Sequence, residues 1–152
     1  MCASGSRDGT VALYTLRDGR RVRRLREPAG KPVEQVVLAD AGLVIFAAAD
    51  GGVCLHLHAF SINGLPTWSW RSDGAALSAL ALSPDGYSHG GAGALVCGFD
   101  DGRICAWRLA DRATIAEYEP AASRVLCLAL TETHLVAGTA ARKLLMYRWG
   151  DQ

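Results

Sequence analysis

Apolar residues along this chain come in short runs, each cut off by a turn-forming group of Gly, Asp, Ser or Pro. VALYTL, LVIFAA, ALSALAL, ALVCG, RICAWRL and LLMYRW are rich in β-branched, aromatic and small apolar side chains. Several alternate apolar with polar positions, which turns one face of a strand inward and the other outward. Others, LVIFAA and LVCG among them, are apolar almost throughout, as a central strand covered on both faces would be. No segment sustains a 3.6-residue apolar period and Gly is frequent, so the expected fold is all-β without helix.

Four of these runs share one phrase. GFDDGRICAWRL (residues 98–109) reads as a strand end, an Asp-Gly turn and a second strand. GSRDGTVALYTL begins at Gly5, AAADGGVCLHLH at Ala47 and GTAARKLLMYRW at Gly138. Aligned, they put Asp8, Asp50, Asp101 and Ala141 in one column, at intervals of 42, 51 and 40 residues. A period of about 40–45 residues with four strands each marks WD-type β-propeller blades. The long interval is explained by SPDGYSHGGAG (83–93), a Gly- and Ser-rich lengthened turn. The blades are expected at 1–30 (partial), 31–73, 74–120 and 121–152 (partial), the third ending at Pro120. Their strands number three, four, four and three. The architecture is therefore a partial β-propeller of four-stranded antiparallel blades, about three and a half of them, with the ring not closed. Each end would leave a bare blade face and an unpaired strand edge. The chain is accordingly expected to be a fragment of a longer protein or to pair with another copy.

The repeated phrase has a structural reading. Gly tolerates positive φ and Asp bonds to nearby backbone N–H groups, so Asp8-Gly9, Asp50-Gly51 and Asp101-Gly102 are expected to build hairpin turns. Six residues beyond each turn stands an aromatic column, Tyr14, His56, Trp107 and Tyr147, expected to pack the blades. Trp68 and Trp70 lie two apart on a strand and are expected to pack against an adjoining blade. His56 and His58 share a strand face, but no third ligand stands at a recognisable spacing, so no metal site is expected.

Charge and cysteine content narrow the function classes. A formal net charge of +1 argues against a general nucleic-acid binder. No apolar run of about 18 residues is present, and the N-terminus lacks the apolar stretch of a signal peptide. Five cysteines without a CxxC pair suit neither a disulfide framework nor a zinc site, and a reduced, intracellular compartment is expected. No nucleophile–base motif such as GxSxG occurs, so no catalytic residue, cofactor or small-molecule substrate is expected. The densest charge is RDGRRVRRLRE, with Arg17, Arg20, Arg21, Arg23, Arg24 and Arg26 on the outermost strand of the first blade. Edge charges block unwanted pairing. Alternatively Arg20, Arg21, Arg23, Arg24 and Arg26 form a patch for an acidic partner or an anionic lipid surface.

GFDDGRICAWRL and GSRDGTVALYTL resemble the hairpins between the second and third strands of WD repeats. LHAFSINGLP (57–66), together with SPDG and LVCGFDDG, resembles the C-terminal WD repeats of BEACH-domain proteins, the neurobeachin and neurobeachin-like group. The resemblance covers essentially the whole chain. It departs from the pattern in lacking the Gly-His pair that opens many WD repeats, so their Asp-His-Ser/Thr-Trp tetrad is not assembled in the usual way. The BEACH domain itself is not among these residues, and what depends on it does not carry over. The resemblance implies a non-catalytic scaffold that docks other proteins in vesicle trafficking or endosomal and lysosomal organisation, in the cytoplasm or on cytosolic membrane surfaces. It also implies that docking residues sit on the turns between second and third strands: Arg7, Asp100, Arg103, Arg142 and Lys143. A WD-repeat adaptor of another complex and a propeller enzyme are the alternatives.

Overall fold

The structure, a computed structural model, describes residues 1–51, 53–72, 74–83, 93–118 and 121–148. Among the described residues, fourteen strands form four antiparallel sheets. The first holds β1 (Cys2–Gly5), β2 (Thr10–Tyr14) and β3 (Arg21–Arg26); the second β4 (Val33–Ala39), β5 (Leu43–Asp50), β6 (Val53–Ser61) and β7 (Pro66–Arg71). The third holds β8 (Leu77–Leu82), β9 (Ala94–Phe99), β10 (Ile104–Arg108) and β11 (Thr114–Tyr118); the fourth β12 (Val125–Leu130), β13 (His134–Thr139) and β14 (Leu144–Arg148). Consecutive strands pair, giving the expected three, four, four and three, and no helix occurs among the described residues. This is a partial β-propeller. Most of the expected insertion at 83–93, and Pro120, lie outside the described residues.

Contacts divide the chain into two compact units, Met1–Gly74 with the first two blades and Ala75–Gln152 with the last two. Each unit is held by the same joint. The first residue of one blade's opening strand seats on a glycine in the preceding blade: Val33 on Gly5, and Val125 on Gly98. A Cβ at either glycine would lie 2.6 Å from the valine Cγ1, so only a residue without a side chain lets the sheets meet. Around the first joint Val11, Leu13, Leu25, Val33, Val44, Phe46 and Phe60 form one apolar cluster. Around the second, Val96, Ile104, Ala106, Val125, Leu135 and Ala137 do the same.

Strand register corrects one expectation. Gly5 pairs with Val11, Gly98 with Ile104 and Gly138 with Leu144, partners six residues apart; the matching pair in the second blade is Ala47 and Leu57, ten apart. Three residues beyond these partners stand Tyr14, Trp107 and Tyr147, all half-buried, and in the second blade Phe60, which is buried. His56 therefore does not belong to the aromatic column. The second hairpin is extended outward past Asp50, which pairs with Val53, so counting from its Asp-Gly lands short of the true register position.

The fourth blade differs in burial. Leu144 and Met146 occupy the register positions of the buried Ile104 and Ala106, yet are 80% and 69% exposed. Ile104→Ala is expected to cost about 2–4 kcal/mol through the cavity it opens. In residues 1–152 taken alone, Leu144→Ala should stay within about 0.5 kcal/mol, because little packing is lost. Urea unfolding of the two variants measures the contrast, and equal costs would contradict the assigned register.

Candidate functional site

Three turns between second and third strands are built alike. The N–H of Ser6 donates to the Thr10 carbonyl at 2.9 Å, that of Phe99 to Arg103 at 3.0 Å and that of Thr139 to Lys143 at 3.0 Å. The tight corner falls at Gly9 (φ 80°), Gly102 (φ 91°) and Arg142 (φ 59°). Asp8 Oδ1 accepts from the Thr10 N–H at 3.0 Å and its hydroxyl at 2.5 Å; Asp101 Oδ1 accepts from the Arg103 N–H at 3.0 Å. The Thr10 hydroxyl is the main reason the Asp8 carboxyl is held below its ordinary value.

These glycines have a second duty that local turn chemistry does not reveal. The linker to the next blade crosses directly over each of them: the Glu27 N–H donates to the Gly9 carbonyl at 2.7 Å and the Ala121 N–H to the Gly102 carbonyl at 2.9 Å. A Cβ on Gly9 would come within 2.9 Å of the Gly30 carbonyl carbon, and one on Gly102 would overlap the Ala121 oxygen. In the second blade Leu55 takes this place, accepting from the Ser72 N–H at 2.9 Å. Gly51 (φ 59°) sits in open space instead, and Asp50 turns to Lys31, whose Nζ donates to Oδ2 at 2.8 Å.

The structure sorts the five residues expected to dock partners. Asp100 pins the approach to β8, donating its N–H to the Ala76 carbonyl and accepting the Ala76 N–H at Oδ1, both at 2.9 Å. Arg103 closes back on its own turn, with Nε donating to Asp101 Oδ2 at 2.7 Å and its guanidinium 5.2 Å from the Phe99 ring centre. Arg142 and Lys143 are exposed and pair with no carboxylate among the described residues. Beside them the linker supplies Ser123, whose Oγ accepts from the Ala141 N–H at 3.0 Å, and the exposed Arg124. Arg7 is exposed on the corresponding turn of the other unit.

The arginine run does not form one patch, which corrects the grouping of Arg20, Arg21, Arg23, Arg24 and Arg26. In β3 Arg24 lies opposite Ala12 and Arg26 opposite Thr10, while Arg23 and Leu25 lie opposite Leu13 and Val11 on the other face. Alternation along a strand separates neighbours that are adjacent in sequence. Arg24 is further committed to Asp8 (Nη2 to Oδ2, 3.0 Å).

One buried carboxylate with three partners was not singled out by sequence. Glu27 is 2% exposed; its Oε2 accepts from the N–H groups of Ala29 and Lys31, each at 2.7 Å, and Oε1 lies 3.1 Å from His58 Nε2. The His56 ring lies parallel to His58 at 6.2 Å, and its Nε2 is 3.3 Å from Lys31 Nζ. Burial, with a smaller contribution from His56, holds His58 below its ordinary value despite Glu27. Both histidines thus belong to the joint between the first two blades. The only sequence signal was an acidic residue closing an arginine run just before Pro-Ala-Gly. Trp68 and Trp70 are half-buried opposite Ala59 and Leu57. Cys54, Cys97 and Cys105 are buried and Cys2 and Cys127 exposed; burial pushes the Cys54 thiol up to about 11.

This geometry offers backbone-pinned turns carrying unpaired cations, an arrangement suited to binding. Among the described residues no three His, Cys, Asp or Glu side chains group to hold a metal ion. By fold the chain is similar to the computationally designed Ika4 protein, whose crystal structure superposes with a TM-score of 0.73 at 22% identity, covering 97% of this chain and 84% of that one. By sequence it is 32% identical over 145 residues to BEACH domain-containing protein B of Arabidopsis thaliana; the match covers 95% of this chain and 5% of that much longer relative. The neurobeachin beta propeller domain matches residues 1–151. With a partial propeller, repeating hairpins and a match along nearly its whole length, this chain belongs to the neurobeachin β-propeller domain family.

Proposed function

We propose that these blades are a non-catalytic docking platform for other proteins, working as part of a longer BEACH-type protein in vesicle trafficking or endosomal and lysosomal organisation on the cytosolic side of membranes. The family supports a protein-interaction propeller. The observation that carries the reading further is the surface of turn 139–143 and linker 121–124, where Arg142, Lys143 and Arg124 are exposed on rigidly hydrogen-bonded backbone. Cations held on a pinned scaffold, with ordering entropy already lost on folding, favour an acidic protein segment as the docking ligand. Of the residues first considered, Arg142 and Lys143 are the binding pair; Asp100 and Arg103 hold the turn in shape. Arg17, Arg20, Arg21 and Arg23, exposed on and beside the β2–β3 turn, add basic character at one end of the first unit, for peripheral contact with an anionic membrane surface.

The test is charge reversal of Arg142 and Lys143 to Glu in the full-length protein. Recovery of its bound partners by cross-linking is expected to fall about tenfold or more, with unfolding curves unchanged. Partner recovery that survives both this change and deletion of residues 1–152 would reject the docking role.

A further inference from the structure

We infer that one end of the Met1–Gly74 unit is a contact site for an anionic lipid membrane, made from the β2–β3 turn of the first blade and the β6–β7 turn of the second. This rests on the proposed membrane contact of the first unit and deepens it by assigning the contact to one end of that unit and adding an apolar component. Two leucines stand at the tips of those turns, Leu16 at 73% exposed and Leu65 at 68%. Around them are the exposed Arg17, Arg20, Arg21 and Arg23, with Val22 also open to solvent. The two turns are tied together. Arg23 reaches across from β3 and lies against the turn at 62–65, where a Cβ on Gly64 would meet its Nη1 at 3.3 Å and Leu25 Cδ2 at 3.6 Å.

Both turns are stiff. Asp18 accepts from the Thr15 hydroxyl and from the Arg20 N–H at 3.1 Å, and the Thr15 N–H donates to the Arg20 carbonyl at 3.0 Å. The Ser61 N–H donates to the Leu65 carbonyl at 2.8 Å, and the Ile62 N–H to the Gly42 carbonyl at 2.9 Å. Asp18 is thus committed to closing its turn, and Asp40, exposed on the neighbouring 39–42 turn, is the other acidic side chain at this end among the described residues. Four guanidinium groups against these two carboxylates favour an anionic ligand. An acidic peptide would satisfy the arginines and leave the leucines in water. The headgroup and upper acyl region of a bilayer takes both, basic groups at the phosphates and short apolar side chains just below.

Vesicle co-sedimentation of the full chain tests this. Vesicles of about one-third phosphatidylserine are expected to retain the protein at least tenfold better than phosphatidylcholine alone, with the difference lost near 0.5 M salt. Arg20→Gln, Arg21→Gln and Arg23→Gln together should lower retention about tenfold, and Leu16→Ser with Leu65→Ser about fivefold. These side chains are exposed, and Gln keeps part of the Arg23 stem against the 62–65 turn, so melting curves should move little. Equal retention on both lipids overturns the inference. So does loss with the arginine changes but not the leucine changes, especially if a polyglutamate peptide competes fully, since that would assign the patch to a soluble acidic partner. Arg142→Glu with Lys143→Glu should leave vesicle retention unchanged, which separates this site from the protein-docking surface.

Discussion

Replacing Gly102 by alanine is expected to lower the stability of the Ala75–Gln152 unit by about 3–5 kcal/mol. Two costs combine. The backbone at φ 91° is one that L residues rarely adopt, and the new Cβ would overlap the Ala121 carbonyl oxygen, part of the linker that carries the chain into the fourth blade. That oxygen belongs to backbone held by the Ala121 N–H bond to Gly102, so it has no free path away. Gly51→Ala serves as the internal comparison: its φ is also positive, but nothing lies within 4 Å, so only the conformational cost of about 1 kcal/mol remains. Denaturant unfolding followed by tryptophan fluorescence reads both, and similar losses at the two positions would show that the linker crossing is not what demands glycine.

Glu27→Ala is expected to cost about 3–4 kcal/mol, because it strips the acceptor from two backbone N–H groups of the 27–31 linker and leaves His58 facing a void. Glu27→Gln keeps the shape and one acceptor oxygen, and should lose about half as much. The same joint sets a pH dependence. His58 titrates below its ordinary 6.5 in the folded chain, chiefly through burial, so its contribution is fully present above 6.5 and is lost as the pH falls below that value. The groups facing it are Glu27 from the linker, Lys31 beyond it, His56 on its own strand with Asp50 behind, and the Phe46 ring at 5.4 Å. His58→Gln should flatten the melting temperature between about pH 7 and 5.5; an unchanged slope would remove His58 as the cause.

Much of the fold was legible because a blade is a local object. Alternation and Asp-Gly turns are set by residues within a dozen positions of one another, and their recurrence at intervals of 40 to 51 residues gave the strand count of each blade. What misled was a local count applied across an irregularity. The second hairpin extends beyond its neighbours by an insertion that conserves strand character, so nothing in the sequence marks that Phe60, rather than His56, occupies the aromatic position. The arginine run misled for a related reason: adjacent residues on a strand point to opposite faces, and the bulge between Leu13 and Tyr14 decides which face each side chain joins.

From the amino-acid sequence alone came the class of fold, the four hairpins, the structural character of Asp8 and Asp101, and the placing of charge on the turns and outer edge of the first blade. The tertiary structure alone decided which of those charges remain available. Asp100 and Arg103 are consumed within the third blade, and Arg24 by Asp8, whereas Arg142 and Lys143 are not. It also decided that Glu27 is buried and that Leu16 and Leu65 share one end with Arg23. The physical reason is the same in each case. A strand's alternation records how it meets its own sheet, but the partner of a turn or linker side chain is fixed by the folded backbone: within the turn for Arg103, across the same blade for Asp100 and Arg24, and against the second blade's His58 for Glu27.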